Sequence, residues 1–411
     1  MKVFIVGVPL FDKDMAVQAY RLCDRSGDRA IGIQNDFRRM SEAFISPGLD
    51  LVEQIGLEPF AGDKLLFADL NMYQLLVGRP SNIDIHPSKL ICVLPGDIPV
   101  NDRIIDRCGG LKEKGYRLAL EGIPEVINDN PIIPMIDYLI LDYLSPSFTS
   151  AHFNARTFLP KLNLVFSNIP DDESFERLVA RNLTALFTGG FYSKPITEGL
   201  AELSPVKINA LQLLSLVHSE DFEFDEMVEI IERDPYLTIS LLRFINSAAI
   251  GLSRKVDSLM SAVTILGQRE IRRWATVAIS VSLAEDRPGE ITKLALIRAK
   301  FAECLAPAFG LSGDEQSLFL TGLFSLIDVI LQLPMEEALK EVALEDKVKS
   351  TLIKKQGNLY TVLDFIYAYE RADWDQCSIM MIQNGVEFEA VNQAYVDAAF
   401  WYHNLLDIID R

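Results

Sequence analysis

The sequence is short of the residues that bind metal ions. It has four histidines, His86, His152, His218 and His403, and none is followed by aspartate. A phosphohydrolase centre of the His-Asp type needs several imidazoles and an adjacent His-Asp pair converging on one ion, so none is expected here. The five cysteines, Cys23, Cys92, Cys108, Cys304 and Cys377, are scattered and odd in number, with no C-x-x-C pair. They read as reduced core thiols of a cytoplasmic protein rather than disulfides or zinc ligands. Positive charge is also scarce. The 39 Lys and Arg residues stand against 58 Asp and Glu, a formal net charge of −19. A broad nucleic-acid surface needs clustered cations, so no nucleic-acid partner is expected, and the acidic balance leaves room for protein partners with basic patches. No apolar run reaches the roughly 18 residues of a membrane span. The start, "MKVFIVGVPLF", is broken by Gly7 and Pro9 and lacks a small-residue cleavage site, so it reads as a first strand. The glycine pairs in "CGGLK" and "TGGFYSKP" lack the spacing of a phosphate loop, and there is no G-x-S-x-G elbow.

What is present is enough for two folded modules. The chain has 411 residues and 49% of them are hydrophobic, which supports more than one core. The first 200 residues carry short apolar runs: 2–8, 17–22, 30–33, 64–70, 90–94, 116–120, 137–142, 162–167 and 185–191. Many have only four to six residues, too short for independent helices. Between them, stretches such as 41–56, 101–114 and 171–182 have helical spacing, and the Asp171–Asp172 pair suits a helix start. Such alternation predicts a parallel sheet with helices outside. Eight or nine strands in this length fit a small (β/α)8-like barrel better than an open sheet, although periodicity alone allows both.

The pattern changes near residue 195. "YSKPITEGLAELSPVK" (192–207) contains Pro195, Gly199 and Pro205 and reads as the connection. The division is a barrel over 1–196, a linker over 197–204 and an all-α domain over 205–411. In that half, Asp225 is an expected N-cap, and Asp234 followed by Pro235 is a strong start for a helix running to about Gly251. Helices over 258–267 and 268–284 follow, separated by Gly267. Further helices are expected over 290–309, 313–333, 335–355, 358–371, 374–384 and 386–408.

Three features invite a chemical reading. Glu121 ends the strand-like "YRLAL", where an α/β barrel keeps its catalytic side chains. In "REIRRWATV", Arg269, Arg272 and Arg273 lie at i, i+3 and i+4 beside Trp274. The acidic chain favours a solvated helix face over a DNA-recognition helix, and the cluster also suits a protein interface. In "SLLRFINSAAIG", the polar Asn246 is expected to hold backbone groups of the next turn.

The helical half resembles an HDOD domain, a regulatory relative of the HD phosphohydrolases. The residues that carry the likeness are "LSPVKINALQLLSL", "IIERDPYLTISLLRFINSAAIGL" and "SLMSAVTILGQREIRRW". "FLTGLFSLIDVIL" resembles the segment where HD enzymes carry His-Asp, with Ser325 and Leu326 in those places. The front half resembles an EAL domain, the barrel that hydrolyses cyclic di-GMP, in the compact form fused to HDOD domains. Its matching ends are "VGVPLFDKDMAVQAYRLCDR" and "FTGGFYSKP". Active EAL domains use carboxylates and an Asn at strand ends to hold two divalent ions. The resemblance implies that Arg21 stands where the name-giving Glu would be, and Asp69 where the Asn would be. Cys92 or Val93 replaces the next Glu, and Glu121–Gly122 the Asp-Asp pair. Asp142 ends the Lys-x-Asp strand, the later Glu positions fall near Ser167 and Pro170, and the last Gln falls near Thr188. Glu121 and Asp142 are then surviving acids facing Arg21, an arrangement for an ion pair rather than two bound cations. The expectation is a non-enzymatic signalling protein without cofactor or metal, acting through protein contacts. The alternatives are a cyclic di-GMP or other nucleotide receptor and a metal-dependent phosphodiesterase.

Overall fold

The computed structural model describes residues 4–24, 52, 56–70, 75, 85–123, 130–182, 184–194, 205–217, 222–246, 250, 254–283, 289–340, 342 and 344–409. The chain divides into two compact units. One is Met1–Tyr192 with Ala368–Ser378, and the other is Ser193–Tyr367 with Ile379–Arg411.

The first unit is a closed barrel of eight strands in chain order: β1 (Ile5–Phe11), β2 (Val17–Asp24), β3 (Leu65–Asp69), β4 (Leu90–Leu94), β5 (Arg117–Glu121), β6 (Tyr138–Asp142), β7 (Asn163–Ile169) and β8 (Leu186–Gly189). Helices α1 (Glu58–Ala61), α2 (Asp102–Glu113), α3 (Phe148–Phe158) and α4 (Asp172–Val179) belong to this unit. The strand expected at 30–33 and nearly all of the helix expected at 41–56 lie outside the described residues. Strands β2 to β8 are parallel neighbours, as the strand–helix alternation implies. The expected all-parallel sheet is corrected at β1, which is antiparallel to both β2 and β8. The reason is local. The β1–β2 connection is a tight turn, too short for a crossover helix. Asp12 builds it by accepting hydrogen bonds from the Asp14 and Ala16 amides at 2.9 and 3.0 Å.

Period-two alternation sends every second strand residue inward. Leu10, Ala19, Phe67, Ile91, Val93, Ala119, Ile140 and Val165 fill the interior, with Leu65, Tyr138 and Leu186 against them. The helices start where the sequence says they should. Asn101 caps α2 by accepting from the Ile104 amide at 3.0 Å, and Asp171 caps α4 through the Ser174 amide at 2.9 Å.

Segment 368–378 completes the first unit. The hydroxyl of Tyr369 accepts from the Ile5 amide at 3.2 Å and donates to the Ile5 carbonyl at 3.0 Å. Trp374 stacks on Phe4 at 5.5 Å, and Tyr369 meets both rings edge-on. The register between β1 and β8 is confined to Phe11 and Phe187, so the tyrosine serves backbone groups that β8 does not reach.

The second unit is helical: α5 (Pro205–Val217), α6 (Phe224–Glu232), α7 (Pro235–Ile245), α8 (Leu259–Leu283), α9 (Gly289–Leu305), α10 (Glu315–Phe324), α11 (Ile327–Leu331), α12 (Met335–Ala338), α13 (Asp346–Lys354), most of α14 (Asn358–Glu370), the end of α15 (Trp374–Asn384), and α16 (Phe388–Ile409). The expected Asp225 cap is corrected: Glu223 is the N-cap residue, without a side-chain bond, and Asp225 lies in the first turn. Asp234 does cap α7, accepting from the Leu237 amide at 3.3 Å. The helix ends at Ile245 rather than near Gly251 because Asn246 turns its side chain to other backbone. It donates to the carbonyls of Leu242 and Val256 and accepts from the Val256 amide, each at 2.7 Å. The groups it holds are thus one turn back and ten residues ahead. The single helix expected over 313–333 is broken into α10 and α11 at Ser325–Leu326, and that expected over 335–355 into α12 and α13. Helix α8 is kinked at Gly267, where φ is 72°. Among the described residues, no helix is long and apolar enough to cross a membrane.

Candidate functional site

The C-terminal mouth of the barrel is built by the inward residue that follows each core position. Ala19 is followed by Arg21, Phe67 by Asp69, Ile91 by Val93, Ala119 by Glu121, Ile140 by Asp142 and Val165 by Ser167. Arg21 reaches across this ring. One terminal nitrogen of its guanidinium donates to Asp69 Oδ1 at 3.0 Å, to Asp69 Oδ2 at 3.2 Å and to Glu121 Oε1 at 3.1 Å. The arginine side chain is 14% exposed, whereas those of Asp69 and Glu121 are 41% and 51% exposed. Burial opposes the charge on Arg21, but the two carboxylates outweigh it, and its pKa is raised above the ordinary arginine value. The cation is therefore fixed at every working pH. Its Nε is buried without a hydrogen-bond partner among the described residues.

Glu121 is held from behind. A Cβ on Gly96 would lie 2.0 Å from the Glu121 carbonyl oxygen, so only glycine lets the β4 loop pass so close to the end of β5.

The other sequence-derived positions divide. Asp142 does not join the cluster: its Oδ1 accepts from the Leu144 amide at 2.9 Å and shapes the turn after β6. The second acid on Arg21 is Asp69, which corrects the expected pairing of Glu121 with Asp142. Cys92 is corrected as well. It is wholly buried and faces away from the mouth, because its neighbours Ile91 and Val93 fill the interior. Burial, with Cys108 adding, pushes its thiol up to about 12. The mouth position on β4 is Val93, which cannot ligate a cation. Thr188 lies on β8, 6% exposed, with Oγ1 buried and without a partner among the described residues. Ser167 is buried at the end of the same layer.

The resemblance to metal-dependent barrels raises the question of whether these residues suit divalent ions. They do not. Two of the three mouth acids, Asp69 and Glu121, already face a guanidinium, and a divalent ion about 4 Å from it would meet a repulsion on the order of 8 kcal/mol at an effective dielectric of about 20. Among the described residues, no group of three His, Cys, Asp or Glu side chains gathers as a metal site.

Beside the mouth lies a pocket of about 430 Å³, lined on one side by Glu121 and Asp142 and on the other by Ser147, Phe148, Ser150 and Asn154. Among the described residues, no lysine, arginine or histidine lines it.

In the helical unit, Ser325 stands where the His of a His-Asp pair would be. It is 6% exposed, accepts from Arg298 Nη1 at 2.6 Å and donates to the Gly322 carbonyl at 2.6 Å. Leu326 is core. Arg298, only 3% exposed, also lies over the Tyr367 ring at 4.8 Å. Sequence reasoning missed this arginine; its signal was a cation set between apolar neighbours in "LALIRA". The proposed arginine–tryptophan surface is not one surface. Trp274 is 5% exposed and belongs to the core, and Arg272 folds over Phe222 at 5.4 Å. Arg269 is exposed, while the Arg273 side chain and His218 lie outside the described residues.

Comparison with known proteins matches the model of the HDOD domain to residues 203–356. The chain carries an HDOD domain. A closed eight-stranded barrel precedes it in the chain. Two curated relatives match most of the chain. The uncharacterized protein YuxH of Bacillus subtilis is 29% identical over 423 residues, covering 99% of this chain and all of the relative. The cyclic di-GMP phosphodiesterase CdgJ of Vibrio cholerae is 25% identical over 311 residues, 75% of this chain and 72% of that protein. Among solved structures, the Bacillus subtilis YkuI protein, with an EAL domain in complex with cyclic di-GMP and calcium, is similar at 14% identity and a TM-score of 0.37, over 56% of this chain and 71% of that one.

Proposed function

We propose that this EAL–HDOD protein is a non-catalytic signal-transduction regulator that acts in the cytoplasm through protein contacts. In this reading the barrel unit, Met1–Tyr192 with Ala368–Ser378, senses or docks, and the helical unit that carries the HDOD match receives or transmits, with 197–204 as the linker. The observation that carries it is the Arg21 guanidinium bonded to both Asp69 and Glu121. A phosphodiesterase of this kind needs bound cations to turn water into a nucleophile near neutral pH. Here a fixed, protonated side chain takes the acids instead, and Val93 offers no ligand on the strand between them. Ser325, held by Arg298, supports the same reading for the helical half.

The test is hydrolysis of cyclic di-GMP by the full chain with manganese or magnesium, followed by chromatography of the linear product. The reading predicts no product above the blank. Metal-dependent turnover that disappears in Glu121→Gln would overturn it. A non-hydrolysing nucleotide receptor is the weaker alternative. Phosphates need cations, and at the mouth the Arg21 cation is already paired with Asp69 and Glu121, while the pocket beside it shows two carboxylates and no basic side chain among the described residues. Calorimetric titration with cyclic di-GMP decides that point: saturable heat would favour the receptor.

A further inference from the structure

We propose that the corner between β6 and α3 is a docking surface for a basic, apolar segment of a partner protein, with one lysine or arginine side chain entering the pocket beside Glu121 and Asp142. This deepens the protein-contact reading and rests on it. Three observations converge. The pocket has acids on one wall and the hydroxyl and amide groups of Ser147, Ser150 and Asn154 on the other, so a guanidinium or ammonium entering it finds acceptors all round. Oε2 of Glu121 and Oδ2 of Asp142 make no hydrogen bond among the described residues, since each acid uses only its other oxygen.

The rim is apolar. Leu144, Phe153 and Phe158 are 64%, 68% and 52% exposed. With aromatic side chains of roughly 150–250 Å², the three leave on the order of 300 Å² uncovered, the size of the functional patches found on monomers. Helical spacing makes the rim continuous with the pocket. Ser150, Asn154 and Phe158 follow one another at i, i+4 and i+8, and Phe153 lies three residues from Ser150. Arg156 is about 200° round the helix from Asn154. His152 turns inward to Asn182 and Phe166.

Charge selects the occupant. A second copy would bring the same acids face to face in a chain already at −19. A phosphorylated ligand meets the same repulsion. Because Arg21 already pairs with Glu121 Oε1, an entering cation is held chiefly by Asp142 and by the hydroxyl and amide acceptors of α3, at the end of the pocket away from Arg21, and its apolar flanks cover the rim.

The experiment pans a phage library of random dodecapeptides against the immobilised full chain, then titrates the enriched peptides by fluorescence anisotropy. The expected sequences carry Lys or Arg beside Leu, Ile, Met, Phe or Trp. Changing that cation to Gln, or Asp142→Lys in the protein, weakens binding at least about tenfold, as does Phe153→Ser. Phe153→Ser keeps the wild-type melting temperature because that side chain is exposed; Asp142→Asn, which loses the charge but keeps an acceptor for the Leu144 amide, keeps it too and weakens binding in the same direction as Asp142→Lys. No enrichment, enrichment of peptides without a cation, or undiminished binding by Phe153→Ser and Asp142→Asn overturns the proposal. So does a dimer in sedimentation that Phe153→Ser dissociates, which would give this face to a second copy. Hydrolysis of cyclic di-GMP would sink the functional reading without touching this surface. Lost peptide binding in a chain that does not hydrolyse sinks only the surface.

Discussion

Replacing Arg21 by methionine isolates its charge, because methionine keeps the length and apolar stem of the side chain while removing the guanidinium. The arginine makes three contacts of 3.0, 3.2 and 3.1 Å to two carboxylates. A hydrogen bond to a charged group contributes about 1.5–3 kcal/mol when fully formed. The two acids are 41% and 51% exposed, so water recovers much of that loss once the arginine is gone, and exposed ion pairs are worth at most about 1 kcal/mol. Added to this is the repulsion of two acids left without a cation. The expected loss is about 1–3 kcal/mol of barrel stability, a fall of roughly 3–10 °C in the calorimetric midpoint of that transition. High salt should shrink the loss, because the acids are half in water. A double-mutant cycle with Glu121→Gln should show a coupling on the order of 1 kcal/mol. Arg21→Met melting at or above the wild-type temperature in low salt, with zero coupling to Glu121, would refute the picture of an arginine that holds the mouth acids.

Other parts of the fold give sharper tests of packing. A Cβ on Gly322 would lie 2.7 Å from Ala299 Cα and from the Arg298 carbonyl, so Gly322→Ala should cost about 1–3 kcal/mol in urea unfolding and separate α9 from α10. Tyr369→Phe leaves the Ile5 amide and carbonyl without their partner; a loss of about 1–3 kcal/mol and faster hydrogen exchange at Ile5 are expected. The buried thiols of Cys92 and Cys108, pushed up to about 12 and about 11 by burial from 9.0, stay protonated in the folded chain while unfolded thiols ionise. Their contribution is complete below about pH 9 and is lost as pH rises towards 11–12, so the urea midpoint should fall between about pH 8 and pH 10.5, and fall less in Cys92→Ala.

The barrel was legible because period-two runs and capped helices are local signals. Asn101 and Asp171 cap where their side chains say, and the interior residues follow from alternation. What the sequence hid was set by partners far along the chain. The antiparallel β1 depends on a turn that excludes a crossover helix. Alternation within "LICVL" leaves Cys92 and Val93 as rivals for the mouth, and only the packing of Ile91 and Val93 inside decides it. That Asp69, not Asp142, joins Glu121 at Arg21 depends on which carboxylate the following turn engages, and the Leu144 amide engages Asp142. Arg298 was overlooked because an arginine reads as surface until a fold buries it beside Ser325 and Tyr367.

The central claim is that a side-chain cation holds the acids that a metal would need. Manganese titration of the full chain, followed by calorimetry and electron paramagnetic resonance, tests it most directly. The account predicts no bound manganese at the barrel mouth of the wild-type protein. Stoichiometric manganese in the wild-type chain, released by Glu121→Gln, would contradict it.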